Sequence, residues 1–191
     1  MILRDDITKD GHPVLRQHAK KLTFPLSKED LQLAHDMMEY LEVSQDDELA
    51  EKYDIRPGVG YAAPQIAASK QMIALLVPDL EDDEADPLLK GVMVNPRIVS
   101  HSVEQICLSM GEGCLSVDED VPGYVPRYAR ITVTYDDLDG NHFKKRFKGY
   151  AAIVLQHEID HLNGHLYYDH IDPDAPWTLP NDHTFLLGEE Y

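Results

Sequence analysis

The chain has 191 residues, 43% hydrophobic and 27% charged, which provides for a sizeable core and excludes global disorder. Asp and Glu number 35 against 17 Lys and Arg, a net charge of −18, which excludes general binding to nucleic acid, DNA included, or to an anionic membrane. Two cysteines, Cys107 and Cys114, make no disulfide framework, and neither a signal core nor a membrane-length apolar run is present. The expectation is a cytoplasmic protein with reduced thiols.

In chain order, Asp10-Gly11-His12-Pro13 reads as a turn. Leu31, Ala34, Met38 and Leu41 recur at spacings of three and four, one face of a helix capped by Ser27 and ending near Val43. Residues 45–51 are acidic and predict an exposed segment, and residues 54–65, punctuated by Gly58, Gly60 and Pro64, predict a loop. Residues 71–77 predict a buried strand, and residues 79–87 an acidic surface excursion. Residues 91–103 predict one or two strands interrupted at Asn95-Pro96. Residues 131–135 and 142–147 predict a hairpin turning at Asp139-Gly140, and residues 151–162 a second helix stopped near Asn163-Gly164. No fixed-period repeat or linker appears. The expectation is a single α+β domain over residues 1–191, with mostly antiparallel sheets packed around a buried second helix.

That helix carries His157-Glu158-Ile159-Asp160-His161. Positions four apart share a helix face, so both imidazoles can reach one metal ion while Glu158 projects beside it as a base for water. The preceding residues 151–155 are apolar almost all round, which predicts a buried helix in which two His and a Glu need a partner. The third ligand has several candidates. Gly164 is in register with an extended His-Glu-x-x-His-x-x-Gly-x-x-His pattern, but its last position is Tyr167, and His165 falls two residues early. A downstream acid would be Glu189 or Glu190. Cys114 lies in Gly111-Glu112-Gly113-Cys114-Leu115-Ser116, where Gly113 leaves room for close approach by backbone or metal; Cys107 reads as a small buried residue. Tyr150, Ile153 and Val154 precede His157 by seven, four and three residues, so they continue its face as an apolar wall. Gly58 and Gly60 suit a turn and also let backbone approach a peptide ligand.

Three segments in order, Gly58-Val59-Gly60-Tyr61-Ala62-Ala63-Pro64-Gln65, Glu112-Gly113-Cys114-Leu115-Ser116 and Gln156-His157-Glu158-Ile159-Asp160-His161, resemble the peptide deformylases. The likeness runs over roughly residues 5–172 and includes an entry-like stretch from Gly11 to Arg16. The acidic insertions and Val117-Asp118 look like the family's second bacterial subclass, typical of Gram-positive organisms; Tyr61 departs from its usual Leu.

The resemblance implies an enzyme that removes the formyl group from the N-terminal formyl-methionine of nascent polypeptides, releasing formate. It implies metal ligands Cys114, His157 and His161, Glu158 as general base, and oxyanion donors in the Leu115 N–H and the Gln65 amide. It adds Val59 to the wall for the methionine side chain and pairs Glu112 with Arg127. One thiolate and two imidazoles suit zinc, iron(II), cobalt or nickel; the resemblance implies iron(II). The competing readings are a metallopeptidase with another third ligand and a non-catalytic module that binds peptide amino termini. After Asp172 the chain has no Lys or Arg, which predicts at most transient contact with the ribosome.

Overall fold

The computed structural model describes residues 2–80, 82 and 85–188. Glu81, Asp83 and Glu84 of the predicted acidic excursion lie outside the described residues, as do the candidate ligands Glu189 and Glu190.

The first helix, α1 (Lys28–Ser44), begins at a capping box: Ser27 Oγ accepts the Asp30 N–H at 3.1 Å, and the Asp30 carboxylate accepts the Ser27 N–H at 3.3 Å. Its buried face runs through Ala34, Met37 and Leu41, with Tyr40 beside them. This corrects the expected stripe by about one residue. Leu31 is 42% exposed, because the helix lies so that Met37 fills the core. The acidic segment is exposed, as expected, and it is also helical. Residues 47–53 form α2 (Asp47–Tyr53), capped by Asp46 with its first turn acidic; no residue of it is buried. It therefore carries no apolar periodicity to read.

β1 (Gly60–Ala62) falls inside the segment expected to be loop, and its three residues are buried. β2 (Met72–Val77) is buried along its whole length. Met72, Ala74 and Leu76 face a cluster with Met37 and Tyr40 of α1, whereas Ile73, Leu75 and Val77 face a second cluster. Burial on both faces explains why this strand is a continuous apolar run. β3 (Leu89–His101) passes through Asn95-Pro96 without ending. The register to its neighbour shifts between Val94 and Arg97, and Asn95 adopts φ 51°. Its side-chain amide pairs with Leu22, accepting the N–H at 2.8 Å and donating to the carbonyl at 3.0 Å. A bulge thus accommodates the proline.

β4 (Gln105–Leu108) and β5 (Arg127–Tyr128) follow, then the hairpin β6 (Arg130–Asp136) and β7 (His142–Lys148), then α3 (Gly149–Leu162) and, near the end, β8 (Thr184–Leu187). One antiparallel sheet has the order β1-β2-β3-β6-β7. A smaller sheet has the order β5-β4-β8, in which β8 runs parallel to β4. α3 packs Ala152, Leu155, Ile159 and Leu162 into the second cluster of the large sheet. On its other side, Gln156 completes a ladder with β5, accepting the Tyr128 N–H and donating to the Tyr128 carbonyl, both at 2.9 Å. Gly164 ends the helix at φ +81°; a Cβ there would lie 2.8 Å from the Arg16 carbonyl carbon. The glycine that falls in register with an extended metal motif is therefore required by packing.

The α1 cap is tied to the large sheet by Lys70, whose Nζ donates to Asp30 Oδ1 at 2.5 Å. The lysine and the Ser27 hydroxyl hold the Asp30 carboxyl below its ordinary value. Asp30→Asn is expected to cost about 1 kcal/mol at neutral pH. Because the folded value is depressed, the difference from the parent is constant above the unfolded carboxylate range, about 3.9, and closes as pH falls through the folded value. Thermal unfolding of both proteins between neutrality and pH 3 checks this.

Candidate metal centre

Cys114 leaves β4 on a loop, and His157 and His161 lie one turn apart on α3. Their ligating atoms fall within 4.8 Å of one another. Cys114 Sγ is 3.3 Å from His161 Nε2, near the roughly 3.5 Å that a sulfur and a nitrogen keep when they share one tetrahedral ion. Cys114 is 5% exposed and His161 fully buried, while the His157 side chain, 12% exposed, opens toward a cleft. Burial alone would raise the Cys114 thiol, but the imidazoles of His161 and His157 outweigh it and bring the thiol well below its ordinary value. The thiolate is thus the favoured form, as a metal ligand must be. One thiolate and two imidazoles, dry and converging, fit a single transition-metal ion.

His157 is fixed from behind. Its Nδ1 lies 2.8 Å from Glu112 Oε2, so Nδ1 carries the proton and Nε2 is left to face the site. Glu112 in turn receives both arms of Arg127, each at 2.9 Å. Glu112 is buried, which alone would raise its carboxyl, but Arg127 and His157 push it down to about 2. Arg127 also donates to Asp160 Oδ2 at 2.5 Å, and the same oxygen accepts from His170 Nε2 at 2.7 Å. The expected pair of Glu112 and Arg127 is therefore the middle of a longer chain: His157, Glu112, Arg127, Asp160, His170. Asp160 and His170 escaped the sequence reading. Asp160 lies inside the His-Glu-x-x-His motif at an unassigned position, and its partner Arg127 is 33 residues away.

Glu158 is 4% exposed and packs against the backbone of Gly60. A Cβ at position 60 would lie 2.5 Å from Glu158 Oε1, so only glycine permits this contact. Burial raises the Glu158 carboxyl above its ordinary value, with His157 and His161 pulling it back. Gln65 follows β1 on a tight helical turn (Ala63–Ile66) and is 2% exposed, not solvated. Its Oε1 accepts the Ala62 N–H at 2.9 Å, which fixes the amide orientation. Nε2 then points into the site, 3.6 Å from Cys114 Sγ and 3.3 Å from Ser116 Oγ.

The cleft has a volume of about 500 Å³. Val59, Tyr150, Ile153 and Val154 line it as an apolar wall, Gly60 and Gly113 bring backbone to its surface, and Leu115 borders it as well. Glu158, His157, Cys114 and Gln65 open onto the same space, with His161 buried beneath. The alternative third ligand His165 is not there: its side chain is 56% exposed and faces Asp169. Tyr167 is buried and accepts the Val121 N–H through its hydroxyl at 2.7 Å. Cys107 is fully buried in β4, and burial pushes its thiol up to about 11, the unreactive form.

A model of the polypeptide deformylase family matches residues 4–177. A peptide deformylase from Limosilactobacillus reuteri is 61% identical over 182 residues, 95% of this chain and 97% of the relative. One from Ligilactobacillus salivarius is 58% identical over 180 residues, 94% and 96% of the two chains. Among solved structures, the Met-Ala-Ser-bound class I type b peptide deformylase from Acinetobacter baumannii is 33% identical with TM-score 0.67, covering 86% of this chain and 96% of that one. The peptide deformylase from Thermotoga maritima is 33% identical with TM-score 0.67, covering 87% and 97%. Family model, relatives and fold agree with the three motifs that meet at the cleft, and the chain belongs to the peptide deformylase family.

Proposed function

We propose that this chain acts as one catalytic domain that hydrolyses the N-formyl group of formyl-methionyl peptides, releasing formate and a free amino terminus. In this reading Cys114, His157 and His161 hold one divalent metal ion. The observation that carries it is the convergence of those three side chains within 4.8 Å, at the floor of a cleft that Glu158 and Gln65 also reach.

A divalent ion held there would supply Lewis-acid polarisation and lower the pKa of a water molecule toward neutrality. Glu158 takes the proton of the attacking water as the new C–O bond forms at the formyl carbon. Negative charge then builds on the formyl oxygen, where the Gln65 Nε2–H and the Leu115 backbone N–H donate to it. Gln65 comes to this task already oriented, because Ala62 occupies its oxygen. When the C–N bond breaks, Glu158 delivers its proton to the departing amine. Val59, Tyr150, Ile153 and Val154 receive the methionine side chain, whose flexibility suits an apolar wall. Gly60 and Gly113 let the peptide backbone lie close.

Iron(II) is the metal this reading favours, with zinc, nickel or cobalt as replacements. The reaction takes place in the cytoplasm; no helix among the described residues is long and apolar enough to cross a membrane. Contact with the ribosome is transient in this reading, since an excess of 35 acidic over 17 basic residues disfavours tight binding to RNA.

Cys114→Ala is expected to lose tight metal binding and formate release from formyl-Met-Ala-Ser together; elemental analysis and a formate assay measure both, and tight metal retained in that variant removes the reading. Glu158→Gln should keep the metal while turnover falls by about 10²–10⁴. Arg127→Ala should lower turnover more than metal content, because Glu112 then loses the group that fixes it behind His157; unchanged turnover would contradict that role. Iron-loaded protein should lose activity in air while nickel-loaded protein keeps it, and equal oxygen stability of the two would count against iron.

A further inference from the structure

Gln65 and Leu115, the two residues read as supplying oxyanion donors, both have their backbone carbonyls held by the same short segment. Residues 8–10 make three successive bonds: the Thr8 N–H to the Gln65 carbonyl at 2.7 Å, Lys9 Nζ to the Leu115 carbonyl at 3.1 Å, and the Asp10 N–H to the Ser116 carbonyl at 2.8 Å. Arg56 Nη1 takes the carbonyls on either side, Cys114 at 3.2 Å and Val117 at 3.1 Å. All four carbonyls from Cys114 to Val117 are thus held by residues remote in the chain. In a trans peptide the C=O and the following N–H point opposite ways, so Arg56 on the Cys114 carbonyl turns the Leu115 N–H to the other side. Lys9, Arg56 and Leu115 line a second cavity of about 530 Å³; Arg56 and Leu115 also border the cleft, whereas Lys9 does not line it.

We propose that Lys9 and Arg56 are positioning residues for the deformylase reaction, setting the Cys114–Val117 peptide planes so that the Leu115 N–H meets the developing oxyanion in register with Gln65. The inference rests on the donor role given above to Leu115 and Gln65. A donor must sit where charge develops, and a displaced one forfeits part of its contribution.

The test compares Lys9→Met, Arg56→Met, Lys9→Arg and Asp118→Asn, each metal-loaded, on formyl-Met-Ala-Ser. Asp118 accepts the second bond of Lys9, at 2.7 Å, so its replacement removes the surface ion pair and leaves the carbonyl bond. The expected result is kcat lower by about 10-fold in Arg56→Met and by several-fold in Lys9→Met. KM, metal content and melting temperature should stay at parent values, and Lys9→Arg and Asp118→Asn should turn over like the parent. Parent kcat in Lys9→Met overturns the proposal, as does a loss confined to KM or one matched by metal loss. Failure of the underlying site reading is separately visible, since it would appear as metal and activity surviving in Cys114→Ala.

Discussion

A thiolate and two imidazoles, drawn from a loop and a helix more than forty residues apart, meet at largely buried positions on the floor of a cleft. Such groups repel burial unless each has a partner, so the surroundings are arranged to hold them. The thiol is kept ionised by the imidazoles, and His157 is oriented by a carboxylate that is itself pinned by a guanidinium. Removing any link leaves a buried charge unmatched, which is why the ion pairs here define geometry rather than simply adding stability. The fold serves this one convergence: α3 lies between the two sheets, and the small sheet carries the strand that delivers Cys114.

The second requirement is directional. Hydrolysis of an amide needs donors aimed at an oxygen that carries charge only for the duration of the reaction. Such donors cannot rely on the substrate to orient them. Gln65 is set by a bond to its own neighbouring backbone, and the carbonyls of the loop after Cys114 are bonded by side chains remote in the chain, Arg56 and Lys9.

Much of this was legible in the residues, for identifiable reasons. Ser27 with Asp30 marked the start of α1, Asp139-Gly140 marked the hairpin, and the unbroken apolar run of β2 reported burial on both its faces. The cluster of Cys114, His157 and His161 was readable because helical spacing fixes both imidazoles to one face, and three motifs in order pointed to Cys114 as their partner. What escaped is equally physical. α2 has no buried face, so no period betrays it. The break expected at Asn95-Pro96 is absorbed by a bulge whose missing ladder bonds are replaced through the Asn95 side chain. β8 pairs with β4 across nearly eighty residues, and the chain from Glu112 to His170 joins charges whose proximity exists only in the fold.

Gly60 has a consequence for how this cleft can change. The carboxylate of Glu158 occupies the volume where a side chain at position 60 would begin. At this point the cleft lining and the buried carboxylate are in direct contact, and bulk cannot be gained at position 60 without unseating Glu158. Change in the shape of the cleft is left to other lining positions, such as Val59, Tyr150, Ile153 and Val154. Evolutionary freedom in the pocket thereby excludes position 60, which the absence of a single methyl holds fixed.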